Sequence, residues 1–133
     1  MTRIERLMSR YPALSFVFDK NMPSDMGGLT VNDKININAN ISESEQYQWL
    51  NEELGHYETS VGDISNYAPA DNSKQENVAR RWGYKQSLTY RQLQKIKDEW
   101  HDTDYEIADD LGLQLDYLHE VGHTYGLHFK HVK

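Results

Sequence analysis

A chain of 133 residues with 38% hydrophobic and 26% charged side chains is long enough for one core and too apolar for disorder, so a single folded unit is expected. Its formal charge of -7 opposes direct attraction to nucleic acid phosphates and routes any DNA-linked role through a protein partner. Cysteine is absent, which excludes disulfides and thiolate ligands and leaves histidine, carboxylate and water to hold any metal.

The opening MTRIERLMSRYP has charges spread through it, and nowhere does a run approach the roughly 18 apolar residues of a membrane span. A soluble cytoplasmic protein is expected. Ile4, Leu7 and Met8 fall on one stripe of a short helix, with Thr2 as its N-cap and Pro12 beyond its end. ALSFVFD at 13–19 alternates Leu14, Phe16 and Phe18 on one face, GLTVND follows the Gly27-Gly28 pair, and KININAN alternates Ile35 and Ile37 with asparagines. These runs predict three short strands in a small antiparallel sheet. Ser42 and Glu45 have the spacing of a capping box, and Tyr47, Leu50, Leu54 and Tyr57 then recur at helical intervals to about residue 58. VGDISNYAPADNS reads as a loop, and QENVARRWGY begins another helix over about 74–86. Three helices follow in TYRQLQKIKDEW, DYEIADDLG and LDYLHEVGHTYG, with Asp104 as a cap and Gly112 as a stop. Their cadence is that of a helix-turn-helix, but Asp104, Glu106, Asp109, Asp110 and Asp116 crowd the segment, which favours packing over DNA reading.

Two stretches compete for a metal site. On a helix, ligands four residues apart share a face and grip one ion, while a glutamate beside the first stands near the bound water as a general base. HEVGHTYGLH satisfies this with His119, Glu120 and His123. Its completions fail: the long zinc-protease motif asks for histidine at 129, where Phe129 stands with His128 one place early, and no Asp or Glu follows Glu120. A third ligand would have to come from earlier in the chain.

NEELGHYETSVGDI at 51–64 offers Glu52 and His56 at the same spacing with Glu53 in the base position, an E-E-x-x-H pattern. Both are competent zinc ligands. Carboxylate in place of imidazole adds negative charge at the ion, weakens its Lewis acidity and raises the pKa of its water. Gly55 leaves room for close approach to the helix, at a propensity cost of roughly 1 kcal/mol. The third ligand is open between Glu76 on the next helix, where Ala79 and Gly83 leave space along the same face, and Asp63 in the loop, as ligand or as an orienting partner of His56. A solvated acidic helix with one satisfied histidine accounts for the same residues, and Tyr57, Tyr67 and Tyr84 read as packing residues rather than oxyanion donors.

The run over about 45–84, with LNEELGHYETSVGDI followed by KQENVARRWGY, closely resembles the ImmA/IrrE family of metallopeptidases, in particular short members encoded by phages and integrated elements. The N-terminal helix ending in YP, the FVFD strand, the MGGLTVNDKININ hairpin and DYEIADDLG are similar too, so the resemblance covers nearly the whole chain. It implies an α+β, zincin-like fold in one domain: an N-terminal helix and small sheet over 1–41, active-site helices over 42–87 and a helical part over 88–133. Family members carry A-H-E-x-G-H on the first site helix and a glutamate early in the second. Glu53 and His56 match the base and second ligand and Glu76 the third, while Glu52 departs at the first. HEVGHTYGLH then falls in the C-terminal helix, outside the metal site.

The resemblance further implies an endopeptidase dependent on Zn2+, acting in the cytoplasm of a bacterial host on a cognate helix-turn-helix repressor and so releasing the genes of a mobile element. The acidic C-terminal helices would suit a partner whose operator face is basic. Two other readings stand beside it: a non-catalytic antirepressor that only binds the repressor, and a metalloprotease built on HEVGH.

Overall fold

In the computed structural model, which describes residues 1–59, 69–99 and 103–126, with side chains over 1–59, 76–96 and 103–126, helix α1 (Arg3–Ser9) starts at a reciprocal cap. The Glu5 amide donates to Thr2 Oγ1 at 3.1 Å and the Thr2 amide to Glu5 Oε1 at 2.9 Å, which satisfies two donors that a helix start leaves open. Ile4 and Leu7 are its buried residues.

Strands β1 (Ser15–Asp19), β2 (Gly28–Val31) and β3 (Lys34–Asn38) form one sheet in the order β1-β3-β2. β2 and β3 are antiparallel neighbours. They turn at Asn32, whose φ of 54 lies in the left-handed region that asparagine tolerates. β1 pairs with β3 in parallel, so the sheet is mixed rather than antiparallel as the alternation predicted. The cause is the connection from β1 to β2, which crosses the end of the sheet and leaves a place for β3 between them. Asn38, 1% exposed at the end of β3, pins this crossing: its side-chain amide donates to Pro23 O at 3.2 Å and Met26 O at 2.9 Å.

Helix α2 (Glu43–Thr59) follows a second capping box, with the Glu45 amide donating to Ser42 Oγ at 3.2 Å and the Ser42 amide to Glu45 Oε1 at 3.4 Å. Its Leu50 and Leu54 meet Ile35 and Ile37 of β3, together with Ile4, Leu7 and Leu14, in the first of two apolar clusters. Helix α3 (Pro69–Ser87) begins five residues before the sequence-based start near 74 and packs on α2 at backbone distance. A Cβ on Gly55 would lie 2.2 Å from Ala79 O, and one on Gly83 would lie 2.9 Å from Asn51 O. Glycine at these two positions is what lets the helices approach so closely.

Helices α4 (Tyr90–Glu99), α5 (Asp104–Leu111) and α6 (Leu115–Thr124) complete the described chain and build the second cluster from Leu88, Leu93, Ile107, Ala108, Leu118 and Val121. The N-cap of α5 is Thr103, not Asp104; Asp104 is the first helical residue and is buried, while Gly112 stops the helix with φ 64. Arg3 ties the two halves: it bridges Glu43 at 2.8 Å, donates to Leu111 O at 2.8 Å and Gly112 O at 2.6 Å, and lies over the Tyr47 ring. The architecture is α+β, with a three-strand mixed sheet and six helices among the described residues. None of those helices is long and apolar enough to cross a membrane.

Candidate functional site

The close α2–α3 pairing brings two rungs of polar side chains face to face. His56 and Glu52 lie one turn apart on α2, and Glu76 and Arg80 one turn apart on α3. In one rung His56 Nε2 is 3.3 Å from Glu76 Oε2. In the other the Arg80 Nε–H donates to Glu52 Oε1 at 2.8 Å. His56 and Glu52 are mostly covered, at 19% and 17% side-chain exposure, whereas Glu76 and Arg80 each stand 49% exposed at the mouth.

Glu53, between Glu52 and His56 in sequence, reaches the sheet and lies within the electrostatic range of His56, Glu52 and Glu76. It is 6% exposed, and Thr30 of β2 donates its hydroxyl to Glu53 Oε1 at 2.6 Å. Gly28 clears the space, since a Cβ there would meet Glu53 Cγ at 2.9 Å. Burial pushes the Glu53 carboxyl above the usual carboxylate range; the Thr30 hydroxyl and His56 pull it down, and Glu52 and Glu76 push it up. The net effect is a carboxyl with a raised affinity for a proton, fixed in place by one hydroxyl. The Glu52 hydrogen bond in turn holds the Arg80 guanidinium more firmly in its charged form.

The donors can be tested against a zinc ion. Two atoms each ~2.0–2.1 Å from zinc at the tetrahedral angle stand about 3.3 Å apart, and the His56–Glu76 separation is 3.3 Å. These two fit where they are. Among the described residues no three histidine or carboxylate side chains stand together as a ready ligand cluster, and the Glu52 carboxylate is paired with Arg80. Asp63 and Tyr67 lie outside the described residues, as do His128 and Phe129.

Between α2 and α3 the groove continues past Glu52 and Arg80 into a cavity of about 230 Å³ lined by Gln48, Trp49, Gly83, Tyr84 and Tyr117. Tyr84 packs edge-on against Tyr117 at 5.1 Å, and Tyr57 against Tyr11 at 6.1 Å. Both are edge-to-face ring contacts, with Tyr57 itself 37% exposed.

The HEVGH helix is arranged differently. His119 Nε2 is 2.6 Å from Asp104 Oδ2, a carboxylate with 0% side-chain exposure. Glu120 and His123 border a separate cavity of about 510 Å³ with Arg80, Arg81 and Tyr84. Thr30, Gly28 and Arg80 border the candidate site although no local pattern marks them, because each meets a residue of another element. The only sequence trace of Arg80 is its spacing of four from Glu76.

No protein-family model matches the chain, and no curated protein matches it in sequence. Among solved structures, a Mycobacterium tuberculosis transcriptional regulator has a TM-score of 0.69 at 13% identity, over 92% of this chain and 39% of that chain. The chain thus spans well under half of the regulator's length, and at that identity the likeness is one of fold.

Proposed function

We propose that this chain is a zinc-dependent endopeptidase of the zincin type, similar to the ImmA/IrrE family, that inactivates a helix-turn-helix repressor in the cytoplasm of a bacterium carrying a phage or integrative element. The observation that carries this reading is the meeting of His56 Nε2 and Glu76 Oε2 at 3.3 Å from two helices, beside a buried glutamate held by Thr30. The fold neighbour's description as a transcriptional regulator is in keeping with a role in transcriptional control.

Glu52, His56 and Glu76 would hold the ion. When bound, zinc supplies polarisation of the scissile carbonyl and acidification of the attacking water. Glu53 accepts the proton of that water and later returns it to the departing amine; its raised affinity for a proton suits both directions. Thr30 keeps the receiving oxygen in place. The exposed edge of β2 lies next to Thr30 and offers backbone groups to an extended peptide. On α5 and α6, Glu106, Asp109, Asp110 and Asp116 are exposed and supply the negative charge that a basic partner would meet. Asp104 is not part of that surface.

The test is zinc content and repressor cleavage in parallel. Wild type should carry about one zinc per chain and cut the repressor, Glu76→Ala should lose the metal, and Glu53→Gln should keep metal and fold while cleavage falls by about 10²–10⁴-fold. Undiminished cleavage by Glu53→Gln would remove Glu53 from its role. A second reading has one observation behind it: with Glu52 neutralised by Arg80, the chain is a non-catalytic antirepressor that frees operator DNA without fragments and in the presence of chelators.

A further inference from the structure

We infer that Arg80 is a built-in cation that occupies the first ligand position of this metal site and surrenders it, moving to Glu120, when a divalent ion enters; the inference rests on the zinc reading above. Geometry motivates it. Arg80 stands one turn beyond Glu76 on α3, directly opposite Glu52, and its Nε–H is 2.8 Å from the carboxylate that a metal would need. A guanidinium keeps its charge at all accessible pH values, so Glu52 meets either the arginine or the ion, and a metal seated beside a bound Arg80 would be repelled by it.

The arginine has somewhere to go. Its side chain is half exposed and borders both cavities: the smaller with Glu52, and the larger with Glu120 and His123 of α6. An acid therefore waits on each side. Tyr84, which borders both cavities, feels charge from Glu120, Arg80 and Glu52 together, which places all three within one electrostatic neighbourhood. This gives HEVGH a part that metal spacing did not suggest. Glu120 is the resting place of the released arginine, and the motif contributes to the early site through that residue alone.

Zinc titration of the full-length chain, by calorimetry against a competing chelator, tests this with wild type, Arg80→Gln, Arg80→Lys, Glu120→Gln and the Arg80→Gln/Glu120→Gln pair, and with Glu76→Ala as the site control. Arg80→Gln should bind zinc about 10-fold tighter than wild type, the size of effect typical of groups that touch a ligand. Arg80→Lys, which keeps a cation, should stay within about threefold of wild type. Glu120→Gln should bind a fewfold more weakly, and that loss should vanish in the double variant. Urea unfolding of each variant separates these shifts from misfolding. Equal or weaker binding by Arg80→Gln, with zinc still lost in Glu76→Ala, overturns the arginine's role and leaves the metal site standing. A Glu120→Gln loss that persists in the double variant overturns the hand-over to α6. Zinc bound by none of the proteins overturns both this inference and the metal reading beneath it.

Discussion

Two helices of this protein carry a histidine four residues after a glutamate or histidine, and the fold treats them in opposite ways. On α6, His119 reaches back to the buried carboxylate of Asp104, 2.6 Å away, and its i+4 partner His123 borders a different cavity. On α2, His56 faces outward to a half-exposed glutamate of α3 at a ligand's distance. Spacing makes a helix face; what lies opposite that face decides whether it is a site. The opposite element differs here because α2 has a glycine where α3 crosses, and α6 has Asp104 of α5 beneath it.

That contrast is broken most severely at the crossing. Gly55→Val would place a side chain where even a Cβ lies 2.2 Å from Ala79 O, and the obstacle is backbone, which cannot swing aside. Overpacking of this kind costs about 3 kcal/mol, and α3 must move off α2, taking Glu76 and Arg80 with it. Urea unfolding should show a loss of that size; a wild-type midpoint would mean that the crossing does not set the site's geometry.

The second break is on the other side. Asp104→Ala removes the buried partner of His119, and loss of a charged hydrogen-bond partner in the interior costs about 2 kcal/mol. Zinc content should not change. A variant as stable as wild type would show that the HEVGH histidine is not held for structural reasons.

Much of this was legible beforehand. Thr2 with Glu5 and Ser42 with Glu45 announce their helices because a cap is local chemistry, and Gly112 ends α5 for the same reason. Gly55, Ala79 and Gly83 foretold a close helix pair, since small residues at matching intervals have that use. The strand order was not legible: alternation tells which face of β3 is buried but not that β1 will pair with it in parallel. Asp104 has the look of a cap by composition, yet Thr103 takes the role and frees Asp104 to turn inward. The Glu53–Thr30 and Glu52–Arg80 bonds span 23 and 28 residues, and such pairings exist only after the sheet and helices have packed.

A gentler change sharpens the account of Glu53. Because burial raises its folded-state pKa, its contribution to stability is fully present below the unfolded carboxylate range and is lost as pH rises through the folded value. Glu53→Gln accepts the same Thr30 hydroxyl without a charge to bury. It should therefore exceed wild type by on the order of 1 kcal/mol near pH 8, a few degrees in Tm, with the gap closing on acidification toward about pH 4. A variant less stable than wild type at pH 8 would mean that the carboxylate is better solvated under the sheet than its 6% exposure indicates.

The smallest effect is also the most discriminating. Glu76 is 49% exposed and pairs with His56 at 3.3 Å, an arrangement worth less than about 0.5–1 kcal/mol in a solvated setting. Glu76→Ala should leave the urea midpoint within about 0.5 kcal/mol of wild type, in contrast to Asp104→Ala, although both variants strip a carboxylate from a histidine. A residue that the fold does not need, placed at ligand distance from an imidazole on a neighbouring helix, is then held there for something the folded chain alone does not use. A large destabilisation by Glu76→Ala would erase the difference between the two histidine helices and make the early pair, like the late one, a part of the scaffold.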